Sequence, residues 1–307
     1  MNSAVSVVIP TYDSGRFHTL TELVATVRRQ TVAPESIVVV VDHNDALVER
    51  ARRDLPGVTV LANAFDRGVS GNRNTGARHS STPLIAFLDD DTTPGDDWLE
   101  RMSSVFDDDN VIGAGGALVP KWERQPTWVP EEFLWAFGAS YAGLPTVTAP
   151  VRNVWSANMI VRRDAFATVG GFRTDFGKVG DRSRPEDTEL CLRMADATGG
   201  IWMYVPSAPV GHDIPLARTT MKYFLTRCYN EGRGKVAMAR LRRGEASLGA
   251  EHSYLRSLPG AVGRGLRDTA TGRDRHGANR AGAVVAGFAA AGAGGVMELL
   301  TTRSTGD

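Results

Sequence analysis

Four short, almost wholly apolar and largely β-branched runs, broken only by Ser6 and Thr59, constrain this chain more than any other feature: Val5–Ile9, Ile37–Val41, Val58–Leu61 and Leu84–Leu88. A strand open on one face alternates polar and apolar residues, so a run that is apolar at nearly every position belongs to a strand covered on both faces. Between the runs the periodicity changes. Phe17, Leu20, Leu23, Val24 and Val27 recur at helical spacing up to about Gln30, Pro34 breaks that stretch, and Ser70–His79 forms another helix. Pro10 is expected to end the first strand. Strands separated by helices predict right-handed βαβ units, a mostly parallel sheet and an α/β fold.

Sheets of this kind bind ligands beyond the carboxyl ends of their strands. Here those ends carry Thr11-Tyr12-Asp13, Asp42-His43-Asn44-Asp45 and Asp89-Asp90-Asp91. The last could be a solvated helix cap. Three adjacent carboxylates repel one another, however, and a hard divalent cation is their usual neutraliser. In a nucleotide-sugar enzyme such a cation bridges the diphosphate. Glu186-Asp187 opens a helix over Pro185–Ala197, after a polar stretch Gly177–Pro185. The pair reads either as a charge pair favoured by the helix dipole or as the seat of a general base. His212, just after a strand Ile201–Val205, is either a structural hydrogen-bonder or a metal ligand. An imidazole beside carboxylates suits Mn better than Mg.

The second half is less regular. Val111–Val119 reads as a strand whose Gly113, Gly115 and Gly116 let backbone or ligand approach closely, and Asn158–Val161 as another strand. Pro120–Pro150, with Trp122, Trp128 and Trp135, reads as a long ordered surface excursion. Ala281–Met297 is uncharged and rich in Ala and Gly. It falls short of the ~20 residues of a membrane span and reads first as a packed helix, second as a peripheral membrane or oligomer contact. With 35 basic and 35 acidic side chains the net charge is zero, which excludes general attraction to nucleic acid. Two cysteines, Cys191 and Cys228, and no basic segment before the first apolar run point to a reduced, cytoplasmic protein, with the inner membrane face as the peripheral alternative.

Taken together these residues resemble glycosyltransferase family 2 over about the first 235 positions. Val5–Tyr12 is similar to that family's first strand and donor-base loop, Arg73-Asn74-Thr75-Gly76-Ala77 to its helix after the third strand, and Phe87–Asp91 to its DxD motif. Gly170-Gly171-Phe172 followed by Glu186-Asp187 resembles its acceptor region and ED motif. Residues 241–307, where the composition shifts to Arg and Gly and then to the uncharged Ala281–Met297, read as a helical C-terminal appendage. The resemblance implies a GT-A fold, Rossmann-like, with a mostly parallel central sheet flanked by helices, a nucleotide-binding half over about 1–118 and an acceptor half over about 119–240. It also implies roles. Pro10, Thr11, Tyr12, Asp42, Arg73, Asp89 and Asp90 would meet the donor, Asp91 and His212 would hold Mn or Mg, and Asp187 would be the base, with Glu186 on the acceptor side. The second strand ends Asp42-His43 where the family often has two Asp, which leaves open whether Asp42 alone reads uracil.

Pro130–Trp135, Tyr141–Pro145 and Arg152–Met159 are similar to prokaryotic glucosyl-dolichyl-phosphate glucuronosyltransferases. That likeness puts the Trp-rich stretch on the acceptor side and makes Trp155 and Asn158 acceptor or sugar contacts, Trp155 being equally readable as a core aromatic. The expected reaction is inverting transfer from a UDP-sugar, UDP-GlcNAc or UDP-glucose first and UDP-glucuronate next, to a carbohydrate, glycolipid or small-molecule hydroxyl. A sugar nucleotidyltransferase would open with a glycine-rich basic loop, which Pro10-Thr11-Tyr12-Asp13 is not. A degenerate scaffold would not keep Asp89, Asp91, Asp187 and His212.

Overall fold

The structure is a computed structural model describing residues 4–179, 182–241 and 249–301. Positions 180 and 181, within the polar stretch before Glu186, lie outside the described residues. The chain divides into two compact units, residues 4–119 with 145–212, and residues 120–144 with 213–301. The second unit therefore takes in residues 120–144 of the Trp-rich stretch together with the described residues from 213 onward.

In the first unit the apolar runs become strands β1 (Val5–Thr11), β2 (Ser36–Val41), β3 (Thr59–Ala62) and β4 (Leu84–Leu88). Helices α1 (Phe17–Arg28), α2 (Asp45–Asp54) and α3 (Val69–His79) alternate with them. β3, β2, β1 and β4 lie side by side and parallel. The sheet continues through β8 (Asn158–Arg162), β6 (Val111–Trp122), β11 (Ile201–Ile214) and β5 (Thr92–Pro94), with β7 (Ala149–Val151) beside β11. Here the pairing turns antiparallel at β4–β8 and β8–β6. Both faces are covered. Val5, Val7 and Ile9 point into one core with Leu20, Leu23 and Val27 of α1. Val8, Ile85 and Phe87 point into the other with Leu190, Cys191 and Met194 of α6 (Glu186–Thr198). This two-residue alternation between two apolar layers is why the runs are apolar at almost every position, the buried Ser6 being hydrogen-bonded to Thr82.

Pro10 does not end β1, which runs on to Thr11. Thr11 accepts a backbone bond from Asp42 on the β2 side, so the alternate residue, Pro10, faces β4. The β1–β4 ladder has already ended at Val8–Phe87, so the missing N–H breaks no rung. The glycines of β6 make room for side chains of the chain itself, not for a ligand: a Cβ at Gly113 would strike the Trp202 ring, and one at Gly115 would strike Val154.

α3 is buried but polar, with Ser70, Asn72, Arg73, Asn74 and Thr75 all inaccessible. It works as a clamp. Asn74 bonds both the N–H and the carbonyl of Phe172, and Asn72 donates to the carbonyl of Thr11. Gly171 must approach this clamp with φ 81°, and a Cβ there would sit 2.5 Å from the Asn74 amide oxygen, so only glycine serves.

The second unit is helical, with α7 (Met221–Leu241), α8 (Gly249–Ala270) and α9 (Gly277–Thr301). Its core joins Phe133, Phe137 and Phe224, with Trp122, Trp128 and Trp135 packed against it. The Trp-rich stretch keeps much of its backbone at the surface but is tied down by buried and half-buried rings that meet partners such as Phe224, some ninety residues on, edge to face. α9 packs along α7 and α8. Its Gly294 comes close to the Tyr229 carbonyl, and Glu298 pairs with Arg233. The opposite side of α9 exposes Val285, Phe288, Val296, Met297, Leu299 and Leu300.

Candidate active site

β1, β2 and β4 end at one edge of the first unit, and the turn after β4 brings its three carboxylates there. Each takes a different partner. Asp89 accepts from Arg73 Nη2 at 2.6 Å. Asp90, almost inaccessible, accepts from the Thr11 hydroxyl at 2.6 Å and from Arg16 at 3.0 Å. Asp91 accepts from the same Arg16 nitrogen at 2.9 Å. Burial, with Asp91 adding to it, pushes the Asp90 carboxyl up to about 6 against the pull of Arg16 and Thr11.

β11 delivers His212 because it pairs with β5, setting His212 opposite Thr92, the residue after Asp91. Its Nε2 stands 3.6 Å from Asp91 Oδ1, too far for a hydrogen bond, and its buried Nδ1 has no partner. The Nε2 side of the imidazole faces a carboxylate oxygen across a gap that no hydrogen bond closes, and that pair is a donor set that fits Mn or Mg. Among the described residues no group of three or more acidic, His or Cys side chains is set to hold a metal ion, so the candidate set there is the Asp91–His212 pair.

The other expected donor residues divide. Tyr12 is exposed at the strand end. Pro10 is buried within β1, and the Thr11 hydroxyl is spent on Asp90; both shape the loop from behind. Asp42 is buried and accepts from Asn63, from the Gly68 N–H and from His43. His43 turns back onto it through a left-handed backbone (φ 49°). Three of roughly four acceptor positions of this carboxylate are filled, leaving one.

Arg73 is 2% exposed and spans Asp89 and Glu186, reaching the latter at 3.1 Å. Both terminal nitrogens are engaged, so it acts on a ligand through the carboxylates it holds. Glu186 and Asp187 start α6, which has no side-chain cap. The Asp187 carboxylate receives the Thr188 N–H at 2.7 Å and is half-buried. Trp155, also half-buried, leans on the core.

Asn158 corrects an expectation. It has no exposed surface, its amide oxygen accepts from the Trp98 indole, and its nitrogen donates to the carbonyls of Ala117 and Ala208. It holds strands together and has nothing left for a sugar. Arg16 is the residue that the sequence did not disclose. It ends a one-turn 3₁₀ segment, Ser14–Arg16, begun by Asp13 accepting the Gly15 N–H. Only that turn aims it at Asp90 and Asp91.

Two solved structures share this architecture. One is GalNAc-T7 with UDP, GalNAc and Mn2+ (TM-score 0.55, 17% identity, 77% of this chain and 51% of that one). The other is the mannosyltransferase PcManGT of Pyrobaculum calidifontis with GDP-Man and Mn2+ (TM-score 0.61, 17% identity, 97% of this chain and 88% of that one). Fold and acid-lined strand ends together define a GT-A glycosyltransferase domain. Residues 6–170 match the family model for glycosyl transferase family 2. The glucosyl-dolichyl phosphate glucuronosyltransferase of Haloferax volcanii is 32% identical over 240 residues, which are 76% of this chain and 77% of that protein. The chain belongs to glycosyl transferase family 2 and is a glycosyltransferase.

Proposed function

We propose that the protein is an inverting, divalent-metal-dependent transferase moving a sugar from a UDP-sugar to an acceptor hydroxyl. The observation that carries this is the juxtaposition of Asp91 with His212 beside the strand ends, in the same unit as a half-buried Asp187 at the start of α6. Asp91 and His212 would hold Mn or Mg, with diphosphate oxygens and water filling the sphere, as these cations are commonly held. Bound there, the metal supplies positive charge against the departing diphosphate. Asp187 takes the acceptor proton as the hydroxyl attacks the anomeric carbon, and Arg73 fixes Glu186 beside it. One displacement inverts the configuration and needs no enzyme-bound sugar.

Tyr12 offers an aromatic face, and the open position on Asp42 can accept a single base N–H, which favours uracil. UDP-GlcNAc, UDP-glucose and UDP-glucuronate make up the donor set, the last gaining from the Haloferax relative's name. With Mn present, UDP is expected to raise the melting temperature more than GDP or CDP, by mass action on the folded state. A preference for GDP overturns the uridine reading, and retention of anomeric configuration in the product overturns the single displacement.

The exposed apolar side of α9, together with exposed Arg256, Arg267, Arg273 and Arg275 on α8 and the turn after it, matches the chemistry of an anionic bilayer surface. A polyprenyl-linked acceptor would be met there. Flotation with anionic vesicles is expected to carry the protein and neutral vesicles to carry much less; equal failure with both removes this part.

A further inference from the structure

One guanidinium nitrogen of Arg16 bridges carboxylates of adjacent residues, Asp90 Oδ1 at 3.0 Å and Asp91 Oδ2 at 2.9 Å. That is the place of a shared counter-cation. The two acidic side chains are 5% and 10% exposed, too dry to stand next to each other uncompensated. Arg16 itself, at 24% exposure, keeps a route to solvent that its partners lack. The Thr11 hydroxyl also reaches Asp90, and His212 stands on the far oxygen of Asp91. The Arg16 guanidinium brings one positive charge to both carboxylates at once.

A divalent cation entering between Asp91 Oδ1 and His212 meets a carboxylate whose other oxygen is already held by a guanidinium. Two cations then crowd one carboxylate, and like charges a few ångströms apart repel strongly in a half-dry site. A diphosphate changes the balance. It brings several negative charges, and a guanidinium fork matches phosphate oxygens. Arg16 can leave Asp91 for the phosphate only when the phosphate is there.

We propose that Arg16 is a resident counter-cation that makes metal binding conditional on the nucleotide diphosphate. It holds the carboxylates in the empty enzyme and yields them to the metal as the donor arrives. This rests on Asp91 and His212 holding the metal. Coupling of this kind is reciprocal, so the metal strengthens nucleotide binding by the factor by which the nucleotide strengthens metal binding.

The test is Mn2+ binding, followed by the loss of the free-ion electron paramagnetic resonance signal, for wild type and Arg16→Gln with and without UDP. Wild type is expected to bind Mn2+ weakly alone and at least tenfold more tightly with UDP. Arg16→Gln is expected to bind Mn2+ alone about tenfold more tightly than wild type, a modest share of one charge–charge repulsion, and UDP alone more weakly. The coupling factor then falls about tenfold or more below that of wild type, to the part that direct metal–diphosphate attraction supplies. A merely structural Arg16 would loosen the acidic turn and weaken Mn2+ binding. Unchanged or weaker Mn2+ affinity in a folded Arg16→Gln protein overturns the proposal. Arg16→Lys keeps the charge and is expected to keep most of the coupling. If Arg16→Gln does not fold, wild type still decides, because equal Mn2+ affinity with and without UDP leaves no coupling and sinks the idea. Asp91→Ala separates the two levels: if it binds Mn2+ and UDP as wild type does, the metal assignment fails, whatever Arg16 does.

Discussion

Asn158→Ala distinguishes a structural amide from a sugar contact, and the outcome can be worked out from the geometry. The orientation of the amide is fixed by chemistry, since the Trp98 indole can only donate and the Ala117 and Ala208 carbonyls can only accept. Gly116 leaves the space, because a Cβ there would lie 2.4 Å from the Asn158 nitrogen. Truncation orphans the buried indole N–H at a cost of about 1–3 kcal/mol and removes a net bond of about 1 kcal/mol from each carbonyl. The cavity adds less than about 1 kcal/mol. The sum, about 4 kcal/mol, is a large part of the ~5–15 kcal/mol of a typical domain. At roughly 2–4 °C per kcal/mol for a unit of this size, the melting temperature should fall by roughly 8–15 °C. Thermal unfolding by circular dichroism measures it, and UDP affinity well below the transition should stay within a few-fold of wild type. A variant that melts within ~2 °C of wild type yet loses tenfold in donor or acceptor KM would refute the reasoning and restore the sugar contact.

Asp187→Asn keeps the shape and the hydrogen-bonding capacity of the side chain but removes the proton acceptor. Turnover should fall by about 10²–10⁴-fold with UDP and Mn2+ affinity retained, and transfer near the wild-type rate would move the base elsewhere, Glu186 first. Asp91→Ala should remove the Mn2+-dependent part of UDP affinity, read by calorimetry with and without metal; an unchanged difference contradicts the metal assignment. Burial raises the Cys191 thiol well above its ordinary range and pushes the Cys228 thiol up to about 12. Both should ignore a disulfide reagent at pH 8 in the native protein and react on unfolding, and rapid reaction of either in the native state would contradict its burial.

The four parallel strands were legible because burial on two faces leaves an almost uninterrupted apolar run, and their carboxyl ends marked the site. α3 was legible as a helix but not as a buried one, since Asn72, Arg73 and Asn74 carry no apolar signal and are covered only because their partners lie in β1 and around Phe172. β11 reads as ending at Val205 because Pro206, Pro209 and Gly211 follow, yet it continues to Ile214 with β5 and β7 beside it. The anchoring of the Trp-rich stretch was hidden for a similar reason: prolines signal a loop, while an aromatic partner that half-buries Trp128 lies in a distant helix. Arg16 gave no signal at all, because one basic residue in a turn says nothing until the turn's direction is known.

Arg73 has a consequence for anyone dissecting the site by substitution. One inaccessible guanidinium serves a carboxylate on the DxD turn and another on the ED helix. Delete either acid and the cation turns to the survivor; delete both and it is stranded without a partner. Losses at Asp89 and Glu186 will therefore not add, and the double variant will fare worse than its parts predict. A residue-by-residue scan would credit each acid with too little, because what binds the two halves of the site is a property of the pair.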